Sequence, residues 1–457
     1  IDSRARIMMS LCSQGKSWDE YLQEVAKINA LTREDIMQVA RKYFSDNYLC
    51  VTKKTGKYPK DNLKKPDFTP VVPRNSESVS EYAKKLEQLP TQIVKSHFID
   101  FEKDVQTAKL SPLVTLYTVA NPVTDIFTLN LIYQIGTLEQ PKLGLLANYM
   151  QFLGTDSLSF QDFRTRLQVL GSTMSFDASD KQFIVRITGF DNHFKETVQL
   201  AGDFISHVKA DDKQIRQVIN DAKVTEKAFF ESSDNIANAL LEKVKYGEQS
   251  RYLRKLPLSE VKKLKGKDLL DVFADVRRME CDLHYCGTLS IEQVEEQLNA
   301  SMPLKDITIA ADATYFREPK EYDKPAVYFM DMPTASQSIV YGFVKGEVTD
   351  DLWSRQASRL FSVYFGGDMS SLMFQEIREF RSLAYRVSGR YLLPPRKLEG
   401  KAGEFVTMLS TQNDKTLDAM AVMNSLIREM PEKPERISMI KQSIINQVNN
   451  DYPSFRD

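Results

Sequence analysis

Two stretches of this chain return later in it, and that return constrains the fold more than any other feature. Leu31, Asp35, Val39 and Tyr43 recur as Leu264, Asp268, Val272 and Val276 at a constant offset of 233 residues. Spacing of about four places each set on one side of an amphipathic helix. Each helix is expected to run into a short strand that ends at a glycine, Gly56 in the first copy and Gly287 in the second. A second recurrence is sharper. Phe160-Gln-Asp-Phe-Arg164 returns as Phe374-Gln-Glu-Ile-Arg378, and both follow a strand, a helix and a glycine, Gly154 and Gly366. The strands read as Phe127 to Gly136, with Phe127, Leu129, Leu131 and Tyr133 alternating, and as Ser338 to Gly346, with Ile339, Tyr341 and Phe343. The first recurrence closes a folding unit, and the second opens one.

Taken in order, these elements predict four segments. Residues 1–56 read as the C-terminal end of a preceding homologous domain, and 57–95 as a linker. Residues 96–312 read as one complete domain, and 313–457 as the opening of a last one, with helices at about 415–430 and 434–449. If the repeat is kept, the closing helix of the last domain falls near position 497, so the chain is expected to be a fragment cut at both ends. Tyr58 to Arg74 holds four prolines and few apolar anchors, as an extended linker does. A short helix is expected from Val79 to Leu89, and the first strand of the next domain near Ile93.

Composition narrows the function. Lys and Arg total 61 against 62 Asp and Glu, a formal net charge of -1, so no global positive field draws in phosphate backbones and nucleic acid is not an expected partner. With 42% hydrophobic and 27% charged residues the chain is neither disordered throughout nor collagen-like. Apolar runs such as Ala326 to Met330 fall far short of a membrane helix, and no membrane insertion is expected. Four cysteines make no disulfide framework. Cys281, His284 and Cys286 have the side chains of metal ligands, but in a strand Cys281 faces away from the other two, so they read as ordinary strand residues.

Generic catalytic signatures are missing: there is no G-x-G-x-x-G, Walker loop, G-x-S-x-G, H-E-x-x-H or H-x-x-E-H. The histidines are His97, His193, His207 and His284, and no two stand at helical ligand spacing. The opening elements nevertheless resemble the inverzincins, the zinc metallopeptidases of the pitrilysin and insulin-degrading-enzyme group. In that family two histidines on one helix face bind Zn²⁺ and the glutamate between them activates water. The matching stretch is Gly144-Leu-Leu-Ala-Asn-Tyr-Met-Gln-Phe-Leu-Gly-Thr155. Aligned on Met150, Phe152, Gly154 and Thr155, the first histidine falls on Leu145, the general base on Asn148 and the second histidine on Tyr149. The family's third ligand falls on Glu226, which alone cannot hold zinc and reads as a helix-surface or domain-interface residue.

Met373 to Tyr385 resembles the family's Arg-Glu-x-x-Gly-Leu-Ala-Tyr signature. The resemblance implies that Arg378 and Tyr385 reach across a closed chamber and contact substrate beside a zinc held elsewhere. The chemistry suits that role, since a guanidinium holds a peptide carbonyl and a phenol stabilises an oxyanion. Ser382 stands where the family usually has glycine. Arg381, Arg386 and the run Lys262, Lys263, Lys265 and Lys267 read as solvated surface charges.

The resemblance implies an α+β fold of repeated metallopeptidase-like (processing-peptidase-like) domains, each an antiparallel-rich sheet with helices packed on one face. It further implies the non-catalytic half of a zinc metalloendopeptidase that degrades peptides in a closed chamber. Such a half binds substrate, carries no metal of its own and is inactive without the N-terminal catalytic half of the same protein, where Zn²⁺ is expected. An alternative is a non-enzymatic assembly subunit, like the processing-peptidase-like core proteins of respiratory complexes. The family is often periplasmic in Gram-negative bacteria or organellar in eukaryotes, and the sequence does not choose between them.

Overall fold

Helix Arg33–Tyr43 shows why the first recurrence exists. Its N-cap Thr32 donates its backbone N–H to the Asp35 carboxylate at 2.8 Å, and Lys265 does the same with Asp268 at 2.8 Å at the start of helix Gly266–Val276. The repeated aspartate is the third-position acid that satisfies an orphan donor of the first turn. These elements belong to a computed structural model that describes residues 2–54, 56, 80–90, 98–312 and 315–450. It divides into two units, Ile1–Thr91 and Gln92–Asp457.

The first unit holds helices Asp2–Ser13, Trp18–Asn29, Arg33–Tyr43 and Glu81–Glu87. The last of these lies within the helix expected from Val79 to Leu89, and Ser80 caps it. The strand expected before Gly56 does not form: residues 47–54 carry no ladder among the described residues, and Tyr48, Leu49 and Val51 are exposed. A strand needs neighbours to satisfy its backbone, and only the second copy has them. The whole proline-rich stretch, Tyr58 to Arg74, and Ile93 lie outside the described residues.

In the second unit, β1 (Gln106–Ser111), β2 (Val114–Ala120), β3 (Ile126–Tyr133), β4 (Thr173–Ala178), β5 (Phe183–Phe190) and β6 (Cys281–Gly287) form one sheet. Its order is β1-β2-β6-β3-β5-β4, antiparallel except for the β2–β6 pair. Alternation holds as the sequence predicts: Phe127, Leu129, Leu131 and Tyr133 are buried in a core shared with helices Leu143–Met150, Phe194–His207 and Gly266–Val276. On β6, Cys281, Leu283 and Tyr285 join that core, while His284 faces away and meets the Tyr117 ring edge-on at 5.3 Å. The end of β6 is clamped by buried Asp191, which accepts from the Tyr285 hydroxyl at 2.5 Å and the Thr288 N–H at 2.9 Å.

A second sheet holds β7 (Gln337–Val348), β8 (Ala384–Leu392) and β9 (Ala402–Gln412) in the order β7-β9-β8, all antiparallel. This repeats β3-β5-β4 strand for strand, the topological counterpart of the second recurrence. The other edge of β7 has no ladder partner among the described residues, and the apolar stretch Val327–Met330 is exposed. The alternation of Ile339, Tyr341 and Phe343 does not mark one buried face. Val340 packs on the core of Phe365, Leu409 and Ala419, while Tyr341 donates to Asn238 Oδ1 of helix Ser233–Tyr246 at 2.8 Å, so β7 is half-buried on both sides. The recurring glycines are forced by close approach: a Cβ on Gly154 would lie 2.2 Å from the Leu158 carbonyl oxygen, and on Gly366 2.1 Å from the Gly389 nitrogen. Helices Thr416–Arg428 and Pro434–Asn450 form where the periodicity places them.

Candidate functional site

The helix that aligns with a zinc-binding helix is built for packing. Leu143–Met150 turns Leu146, Ala147, Tyr149 and Met150 into the core, leaves Leu145 half-buried against it and exposes Asn148. The Tyr149 hydroxyl donates to the Asp211 carbonyl at 3.1 Å and accepts from the Asp211 N–H at 2.8 Å. Burial pushes the phenol above its ordinary value. A Cβ on Gly266 would lie 2.2 Å from that hydroxyl, so the glycine makes room for it. Glu226 is half-buried on helix Asp212–Glu231. It stands fifteen residues past Asp211, or about 22 Å along the helix at its ordinary rise. Leu145, Asn148, Tyr149 and Glu226 therefore do not converge, and they do not fit a zinc ion. No group of three or more metal-donor side chains occurs among the described residues.

Arg378 and Tyr385 are brought together. Met373 enters a π-helical turn, Phe374–Glu379, a widened winding that is frequent at functional sites. Ile377 anchors the turn in the core, and Arg378 points outward. The chain then reverses at Ser382, whose φ is 48°, before Ala384 starts β8. Leu383 donates its N–H to the Ile377 carbonyl at 2.9 Å, closing the loop. The result sets the Arg378 guanidinium carbon 4.5 Å from the centroid of the Tyr385 ring and 4.5 Å from that of Phe374. Its Nε lies 3.3 Å from Glu379 Oε1, and its Nη groups make no hydrogen bond to a described residue. Tyr385 is 72% exposed, and the Arg378 side chain 33%. A planar fork of donors is thus stacked on aromatic faces beside a solvent-facing phenol.

The neighbouring arginines are committed elsewhere. Arg386 donates to Asp234 at 2.6 Å, tying β8 to helix Ser233–Tyr246, and that hydrogen bond holds the Asp234 carboxyl below its usual range. Arg381 donates to Glu376 at 2.5 Å, and Lys433 lies 3.4 Å from the same carboxylate. The Arg381 hydrogen bond leads in keeping the Glu376 carboxyl below its usual range. Both arginines are partly exposed, but as members of ion pairs rather than as lone surface charges. Sequence reasoning missed Phe374 and Glu376 as members of this cluster. The Phe-x-x-x-Arg spacing of the second recurrence held a signal for Phe374.

Residues 276–443 match the family model described as the peptidase M16 inactive domain. Over that stretch the chain is similar to M16 inactive domains. An uncharacterised zinc protease of Rickettsia felis is 22% identical over 354 residues, covering 74% of this chain and 81% of that protein. The crystal structure of a peptidase M16 inactive domain from Pseudomonas fluorescens superposes with a TM-score of 0.61 at 17% identity, over 76% of this chain and 85% of the other. The periplasmic protease PqqL of Escherichia coli superposes with a TM-score of 0.63 at 14% identity, over 93% of this chain but only 45% of its own. The M16 assignment and the α+β fold agree with the resemblance that the sequence carries.

Proposed function

We propose that this M16 chain is the non-catalytic half of a zinc metalloendopeptidase, binding peptide through Arg378 and Tyr385 and completing the active site of a catalytic half. The reading keeps residues 1–56 as the end of a preceding homologous domain, 57–95 as the linker between halves, and 96–312 and 313–457 as the third and fourth domains. Its support is the M16 inactive-domain match, together with the fact that PqqL, a protease, is about twice as long as the stretch this chain covers. The observation that carries it is the stacked Arg378–Tyr385 pair, with the arginine side chain 33% exposed and the tyrosine solvent-facing.

In this reading the Arg378 Nη groups donate to a carbonyl oxygen of an extended peptide and fix its position. The Tyr385 hydroxyl, free of the core, donates to the oxygen on which negative charge develops during hydrolysis. Zinc held by the catalytic half would supply the activated water, and none of the residues Leu145, Asn148, Tyr149 and Glu226 would hold it. The test is a mixture of this chain with an M16 catalytic half from the same source. Cleavage of a quenched fluorogenic peptide should require both halves, and Arg378→Ala should lower it by about 100-fold, as loss of a substrate-positioning contact does. Undiminished cleavage by the variant would refute the assignment.

A further inference from the structure

We propose that Phe374 is a positioning residue for Arg378, holding the guanidinium as one wall of an aromatic clamp so that its Nη edge is presented to a peptide carbonyl. This rests on the peptide-binding reading above and adds a residue to it. The two copies of the recurrence act as a built-in comparison. In the first, Arg164 lies 5.8 Å from the Phe160 ring, and the residue seven positions on is Gly171, in the turn before β4, which offers no ring. That copy starts an ordinary α-helix, Phe160–Val169. In the second, the turn is π-helical, the Phe374 distance closes to 4.5 Å and Tyr385 supplies a second ring at 4.5 Å. The Phe–Arg contact is thus shared, while a second ring contacts the arginine in the second copy only.

The physical reason is economical. An exposed arginine samples many rotamers, and ordering it on binding weakens the complex. Two ring contacts restrict the guanidinium while its Nη groups make no hydrogen bond to a described residue.

The experiment measures binding of a fluorescent extended peptide to the full chain by anisotropy, for the wild type, Arg378→Ala, Phe374→Leu, Phe374→Trp and Arg164→Ala. It is paired with the chemical shift of the Arg378 Nε–H, which ring currents move. Phe374→Leu should weaken binding about three- to fivefold and shift the Arg378 signal toward that of a free arginine. Phe374→Trp should restore both, and Arg164→Ala should change neither. If Arg378→Ala weakens binding while Phe374→Leu does not, the positioning role is overturned and peptide binding stands. If the wild type and Arg378→Ala bind alike, peptide binding at this site itself fails. Should Phe374→Leu not fold, Phe374→Trp carries the test, and weaker binding by a folded tryptophan variant overturns the role.

Discussion

The Arg378 guanidinium lies 4.5 Å from the centre of the Tyr385 ring, although seven residues and a chain reversal separate them. The reversal depends on Ser382 at φ 48°, the one described residue other than glycine with positive φ. The π-helical turn before it and β8 after it fix both ends, so the side chains meet without a buried contact of their own.

Ser382 bears the strain of that geometry. A left-handed conformation costs an L-residue about 1 kcal/mol that glycine does not incur. Ser382→Gly should therefore raise the denaturant midpoint by an amount equivalent to about 1 kcal/mol, less the added freedom of the unfolded chain. Equilibrium unfolding in urea measures it, and a lowered midpoint would show that the serine side chain contributes more than its backbone costs.

Tyr149 and Gly266 should behave as a coupled pair. Tyr149→Phe leaves the Asp211 N–H and carbonyl without their partner and should cost about 1–2 kcal/mol. Gly266→Ala should be destabilising because its Cβ would collide with the hydroxyl. Together the two changes should cost less than their sum, since removing the hydroxyl makes room for the methyl. Thermal unfolding of the single and double variants reads the coupling, and strict additivity would contradict it.

Acid should loosen the contact around Glu242. Its side chain is 7% exposed and accepts from Arg317 at 2.8 Å, with Arg251 at 3.3 Å. Burial opposes ionisation, but the Arg317 hydrogen bond and the charges of Arg317 and Arg251 outweigh it, so the carboxyl sits below its ordinary range. A depressed carboxylate contributes stability that is complete above the ordinary value of about 4.3 and is lost as pH falls through the folded value. Glu242→Ala should cost about 3 kcal/mol near pH 7 by leaving Arg317 charged and unpaired. The gap between wild type and Glu242→Gln should narrow below about pH 4. A gap that is constant from pH 7 to 3 in unfolding experiments would count against the ion pair.

Legibility in the sequence followed the range of the interactions. The recurrence of Leu264, Asp268, Val272 and Val276 identified a helix because capping and one apolar stripe are local properties, and β3 was visible in its alternation. Tyr48 to Lys54 has the same local pattern as a strand but no flanking ladder, and pairing is not encoded in one segment. The face of β7 was ambiguous because Ser233–Tyr246 covers its second side, a contact made across about a hundred residues. At the candidate site, the closeness of Arg378 and Tyr385 was suggested by their motif, whereas the Phe374 wall depended on a π-helical turn and the Arg386–Asp234 pair spans 152 residues. A partner such as Asp234 is set by the tertiary fold and leaves no local trace.

The most direct measurement follows a quenched fluorogenic peptide mixed with the full chain, reading anisotropy for binding and fluorescence release for cleavage in the same sample. The account predicts saturable binding that weakens about tenfold or more in Arg378→Ala, with no cleavage at any concentration. Binding indifferent to Arg378, or cleavage abolished by a chelator, would contradict it.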